Sequence, residues 1–197
     1  MSLRRLPGRV FVISSPSGGG KTTVAERLRR RMPRLVRSLS VTTRTPRRGE
    51  RDGRDYQFVT RAMFERLKRS GQLLEWARVH GAYYGTPKAP VIRTLNAGRD
   101  LLLSIDVQGA RQVRRALGRQ AVLIFLLPPS LAALRQRLIG RRTETPAAIR
   151  RRLATARWEL ACTRWYDYRV VNDRLDDTVK AVRAILGGRR AKGASNA

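Results

Sequence analysis

Apolar and polar positions come in alternating blocks along the 197 residues of this chain. Val10 to Ile13 is a short β-branched run and reads as a buried strand. It breaks into small residues, then Val24, Ala25 and Leu28 recur at helical spacing until Pro33 stops the helix at about Met32. Leu35 to Thr42 reads as a short strand, followed by a long polar loop to Asp55 and a strand from Tyr56 to Val59. Thr60 suits the N-cap of a helix through Phe64 and Leu67 that Ser70 and Gly71 close. Leu73 to Val79 is the next strand, Gly81 to Gly85 a turn, and Pro87 opens a helix ending at Gly98. Asp100 to Asp106 is a strongly apolar strand with a helix after it through Val113. Ala121 to Leu127 is another such strand, and Pro128 to Ser130 start a helix to about Ile139. After the charged connection from Gly140 to Pro146 come a helix over 147–164, a last core strand from Tyr168 to Val171, and an amphipathic helix from Leu175 to Leu186. A polar tail, 187–197, ends the chain.

Strands that alternate with helices predict an α/β fold, a parallel sheet covered on both faces. The closely spaced strands between Leu39 and Pro87 break that rhythm and predict a small inserted subdomain, about 39–87, within a single domain of 197 residues. The core is then expected from 8–38 and 88–186.

The break after Ile13 carries chemistry. Strand, small residues, Gly18-Gly19-Gly20-Lys21-Thr22, then helix is the layout of a phosphate-binding P-loop. Glycines let backbone N–H groups curl around an anion, and the helix start adds partial positive charge. Lys21 can reach the outer phosphates, and the Thr22 hydroxyl can ligate Mg²⁺. Ser15 stands where the usual spacing has its first glycine. The implied ligand is a nucleoside triphosphate.

Composition narrows the classes. Hydrophobic content of 42% is ordinary for a globular chain, and Ala121 to Leu127, the longest apolar run, is too short to span a bilayer. The N-terminus lacks the apolar core of a signal peptide, so a cytoplasmic protein is expected. Cys162 stands alone, which excludes an internal disulfide and a cysteine-built zinc site, and His80 is the only histidine. The net charge of +29 invites a nucleic-acid reading. However, the basic residues are spread along the whole chain and are nearly all arginine, so no specific nucleic-acid partner is expected. The oligomeric state is not legible.

The acceptor has to be read from the inserted region. Arg44, Arg47, Arg48, Arg51 and Arg54 crowd one loop, followed by Tyr56 and later by Tyr83 and Tyr84, a set that suits a phosphate. Glu75, amid apolar residues, is either an outward-facing side chain or an acceptor for a base edge. Arg137, Arg141, Arg142 and Arg150 to Arg152 bracket the exposed connection, as a mobile lid over 137–152 requires, or as a solvated helix face.

Taken in order, several stretches resemble guanylate kinase. They are Ser40 to Glu50, Gly53 to Tyr56, Leu74 to Trp76, Gly81 to Thr86, Ile105 to Gly109, Gly140 to Thr145 and Val171 to Asp173. The resemblance extends from Val10 to Leu186 and implies a P-loop kinase fold that transfers a phosphoryl group from ATP to GMP with Mg²⁺. It implies ATP binding by Ser14, Ser15, Pro16, Ser17, Gly18, Gly19, Gly20, Lys21, Thr22 and Thr23, with Asn172 near the adenine and Thr22 on the metal. For GMP it implies Arg44, Arg47, Tyr56 and Tyr84 on the phosphate, with Glu50 and Gly85 also in the GMP site. Ser40, Glu75 and Thr86 would read the guanine edge, with Asp106 nearby. Lys21, Arg44, Arg137, Arg141 and Arg152 are the implied catalytic set. One departure is Ser104, where the family usually has an acidic residue. The competing readings are a non-catalytic guanylate-kinase-like binding module, a small phosphosugar kinase, and polyanion binding driven by charge alone.

Overall fold

The computed structural model describes residues 7–79, 81–140 and 145–188. Arg141, His80 and the tail from 189 onward lie outside the described residues. Among the described residues, nine strands form two sheets. β1 (Val10–Ser14), β2 (Val36–Arg37), β7 (Leu101–Ser104), β8 (Ala121–Leu127) and β9 (Tyr168–Val171) make the larger sheet, in the order β2-β7-β1-β8-β9. Every pairing in it is parallel, and β1 lies at the centre. β3 (Val41–Thr42), β4 (Gln57–Phe58), β5 (Leu73–Val79) and β6 (Ala82–Pro87) make a mixed sheet in the order β4-β3-β6-β5.

Because side chains alternate faces along a strand, β1 feeds two cores. Val10 and Val12 join α3 (Lys88–Asn96) and α4 (Val107–Leu117) through Val91, Leu95, Val113 and Leu117. Phe11 and Ile13 join α1 (Lys21–Arg31) and α7 (Leu175–Gly187) through Val24, Leu28, Val179 and Val182. α2 (Arg61–Arg69) carries the buried Phe64 and belongs with the second sheet, where Phe64 packs on Tyr83. α5 (Leu131–Ile139) and α6 (Pro146–Ala161) pair through Leu134, Leu138 and Ala156. Thr60, Asp106, Ser130 and Thr145 cap α2, α4, α5 and α6 with side-chain oxygens, as their residue types favour. No described helix is long and apolar enough to cross a membrane.

Four expectations need correction. Leu35 to Thr42 is two strands rather than one, since Val36 and Arg37 pair with β7 while Val41 and Thr42 pair with β4 and β6 in the other sheet. The supposed turn from Gly81 to Gly85 is mostly strand, because the hairpin closes at the pair Val79–Ala82 and β6 begins at once. Tyr168 to Val171 is an edge strand, and Val171 is 56% exposed. The helix expected over 147–164 stops at Ala161, and Cys162–Trp165 continue as a 3₁₀ turn.

Candidate active site

The P-loop leaves the carboxyl end of the central strand, where open α/β sheets place their ligands. Gly18 and Gly20 have φ of 87° and 90°, left-handed values that other residues adopt at a cost. A Cβ on Gly20 would stand 2.4 Å from Asn172 Nδ2. The Gly19 N–H donates to the Pro16 carbonyl at 2.8 Å, and the buried Ser15 hydroxyl donates to the same carbonyl at 3.0 Å. Ser15 thus has a hydrogen-bonded place in the loop. Asn172, just past β9, donates its amide to the Gly19 carbonyl at 2.7 Å. Unlike α2, α4, α5 and α6, α1 has no side-chain cap, only Gly20. A helix start without a side-chain cap is where an anion is readily held. Lys21 is half-buried, and Thr22 and Thr23 are exposed on the first turn.

A second constellation sits on the smaller sheet. Arg44 donates from Nε to the Tyr84 hydroxyl (3.1 Å) and from Nη2 to Glu50 Oε1 (2.9 Å), and it lies 5.5 Å from the Tyr56 ring centroid. Glu50 Oε2 accepts the Arg47 backbone N–H at 2.7 Å. Burial pulls the Glu50 pKa up, but Arg44 and the Arg47 amide outweigh it and hold the carboxyl below its usual value. Burial likewise pulls Arg44 down, while Glu50 and Tyr84 keep it above the ordinary guanidinium value. Both groups stay charged, so Arg44 is fixed and cationic, with the Tyr84 hydroxyl on its Nε and the Tyr56 ring close by. Glu50 orients arginine here, and the Arg47 side chain is exposed.

Glu75 lies inside, at 3% exposure. Strict alternation would put one of Leu74 and Glu75 outward, but the register of β5 on β6 shifts between Leu73 and Glu75, and the irregularity turns both inward. Thr86 donates its hydroxyl to Glu75 Oε1 at 2.5 Å. On the other side is the start of α4, where a Cβ on Gly109 would come within 2.3 Å of Glu75 Oε2. Gln112, one turn on, donates to the Trp76 carbonyl (2.7 Å) and accepts the Trp76 N–H (3.1 Å), fastening α4 to β5. Burial pushes the Glu75 carboxyl up to about 7; the Thr86 bond resists and the nearby Asp106 adds to the rise. Asp106 is itself raised by burial, although it accepts the Gly109 N–H at 2.9 Å and feels Lys21.

The two constellations meet. Thr22 of the P-loop, Ser40 and Tyr56, which lead into β3 and β4, and Ser104 at the end of β7 line one small cleft. Arg137 of α5 donates to the Asn172 carbonyl at 2.9 Å, and Arg152 of α6 donates to the Ser17 hydroxyl at 2.6 Å, so both arginines reach the P-loop side. A roomier cavity of about 530 Å³, lined by Phe11, Met32, Leu35, Asp100 and Leu186, lies at the opposite, amino end of the sheet and has no part in this chemistry.

A family model described as guanylate kinase matches residues 7–188. A guanylate kinase of Gloeobacter violaceus is 51% identical over 178 residues, covering 90% of this chain and 86% of the relative. One of Thermus thermophilus is 49% identical over 190 residues, with 96% and 84% covered. The chain belongs to the guanylate kinase family. A crystal structure of guanylate kinase from Anaplasma phagocytophilum shares the fold, with a TM-score of 0.77, 36% identity, and coverage of 93% of this chain and 86% of the other.

Three residues of this guanylate kinase chain escaped the sequence reading. Gly109 and Gln112 shape the Glu75 pocket from α4, and nothing in a helical pattern announces a contact with a strand of the other sheet. Glu159 of α6 is 7% exposed. It did leave a signal: it stands on the same helical stripe as Ile149, Leu153 and the buried Ala156, a poor place for an unpaired carboxylate.

Proposed function

We propose that this chain transfers the γ-phosphoryl group of ATP to GMP, giving ADP and GDP, in the cleft between the P-loop and the smaller sheet. The activity is that of its family. The observation that carries the assignment of parts is the shared cleft, in which a P-loop hydroxyl, Thr22, faces Ser40 and Tyr56 from the inserted segment. Phosphoryl transfer is largely positioning and charge neutralisation. In this reading the uncapped amides of α1 and Lys21 hold the β- and γ-phosphates, with Ser14 to Thr23 forming the cradle. Arg44, Arg47, Tyr56 and Tyr84 hold the GMP phosphate, with Glu50 keeping Arg44 aimed. Glu75 accepts guanine N1–H and N2–H₂, supported by Thr86 on the narrow floor at Gly85, with Ser40 and Asp106 alongside. Arg137, Arg141 and Arg152 neutralise the transferring group, and Asn172, which secures Gly19, borders the adenine. No general base is required, because the acceptor is already a phosphate oxygen.

The donor set fits Mg²⁺. Thr22 offers one hard hydroxyl oxygen on the exposed first turn, which matches an ion that keeps most of its waters and is otherwise held by substrate phosphates. When bound, Mg²⁺ neutralises charge on the β- and γ-phosphates. Segment 39–87 acts as the GMP-binding subdomain and 137–152 as the lid on a core of 8–38 and 88–186. ATP and GMP are cytoplasmic metabolites, which places the working enzyme in the cytoplasm.

The test is an ADP-release assay with ATP, Mg²⁺ and each nucleoside monophosphate in turn. Selective turnover of GMP is expected. Turnover of none would replace the enzyme by a binding module, and preference for another acceptor would remove the role given to Glu75.

A further inference from the structure

The reaction as derived does not use Glu159. It lies on α6 two turns from Arg152, with the fully buried Ala156 between them on the same face. Both residues reach Ser17 of the P-loop: Arg152 donates to its hydroxyl at 2.6 Å, and its backbone N–H supports the Glu159 carboxyl. Oε2 of Glu159 is buried without a hydrogen-bond partner. The charged and titratable groups around it come from four directions. Lys21 opens α1, Asp106 caps α4, Cys162 and Tyr166 lie beyond the end of α6, and Arg152 precedes it. A carboxyl with one oxygen on the loop and the other unsatisfied is costly to keep unless something uses it.

We propose that Glu159 is a positioning residue of the triphosphate cradle, tying the P-loop at Ser17 to the helix that carries Arg152 and balancing Lys21 until phosphates take its place. The proposal rests on reading the P-loop as a triphosphate site. Burial pushes the carboxyl up to about 7, the Lys21 ammonium and the Ser17 N–H pull it down, and Asp106 pushes it further up. Phosphates arriving at Lys21 add negative charge beside the carboxylate and engage the cation that favoured ionisation, so the neutral form gains. A proton from solvent then binds the carboxylate, with no other bond made or broken. Nucleotide binding at the P-loop is thereby coupled to proton uptake, and the tether at Ser17 persists in either state.

Calorimetric titration of the full chain with a non-hydrolysable ATP analogue, saturated with Mg²⁺, in two buffers of different ionisation enthalpy at pH 7 reads this directly. The wild type should take up a sizeable fraction of a proton, and E159Q should take up none. KM for ATP should rise between pH 6 and 8 in the wild type and stay flat in E159Q, while KM for GMP should be the same in the two proteins at each pH. Should E159Q fail to fold, ¹³C labelling of glutamate carboxyls replaces it. With the Glu75 resonance assigned by its loss in E75Q, the other buried glutamate resonance must move toward the protonated position when the analogue binds, and Asp106 is silent in that spectrum. Binding without uptake, uptake that survives in E159Q, or glutamate resonances that stay put would each overturn the role of Glu159 alone. Absence of any binding would overturn the triphosphate reading and this proposal with it.

Discussion

The two ends of the cleft are made of different materials. At the P-loop the groups offered to a ligand are backbone amides at the uncapped start of α1, held in shape by left-handed glycines and by Asn172. On the smaller sheet they are side chains, with Arg44 clamped among Tyr84, Glu50 and Tyr56 and Glu75 clamped between Thr86 and α4. A backbone cradle suits phosphate, which every nucleotide carries, whereas a buried carboxylate suits one pattern of donors and leaves the wrong base unpaired. On the proposed assignment of parts, the cradle supplies strength and the side-chain end supplies choice.

Gly20→Ala attacks the cradle and should have the largest effect. A Cβ at φ 90°, and 2.4 Å from Asn172 Nδ2, distorts the first turn of α1. Turnover should fall by about 10²–10³-fold, as for loss of a preorganised donor at an oxyanion, with the preference for GMP over other monophosphates intact. A change in that preference measured in the same assay would dissolve the division of labour. Gly109→Ala attacks the other end, because its Cβ meets Glu75 Oε2 at 2.3 Å on a helix fastened by Gln112. KM for GMP should rise by about tenfold, roughly 1.4 kcal/mol, and KM for ATP should not move in steady-state kinetics.

The smallest effect is on stability. Burial raises the Glu75 carboxyl to about 7, so its contribution is complete below the unfolded value of 4.5 and is lost as pH rises through about 7. Glu50 has the opposite sign: its lowered value favours the fold above its unfolded pKa and ceases to do so as the medium becomes acidic. Thermal melts from pH 4 to 8 should show E75Q gaining on the wild type across the window from about 4.5 to 7, by a few °C in all, and parallel above it. Profiles parallel throughout would mean that Glu75 is not driven toward neutrality.

The same contrast decides what could be read in the sequence. Gly18 to Thr22 after an apolar strand is a local pattern with a local meaning, and the structure has the expected strand, glycine turn and helix there. The parallel sheet was legible for the same reason, since each strand and helix carries its own periodicity. The smaller sheet was legible only in part: strands were expected over Tyr56–Val59 and Leu73–Val79, whereas β3, two residues long, was merged with β2 and β6 was read as a turn, because both are fixed by partners elsewhere in the sheet. Glu75 was left undecided because alternation predicts one face, and only an irregular register brings both Leu74 and Glu75 inside. Glu159 was invisible as chemistry because its partners, Ser17 and Lys21, lie about 140 positions earlier.

Glu75→Gln tests the central claim most directly. It keeps the shape of the side chain in its pocket beside Thr86 and removes the charge that favours guanine donors. In steady-state assays with GMP and the other monophosphates, the account predicts that the advantage of GMP collapses by about two orders of magnitude, as when a buried pairing is lost, while KM for ATP stays within about twofold. Equal losses on the two substrates would contradict it.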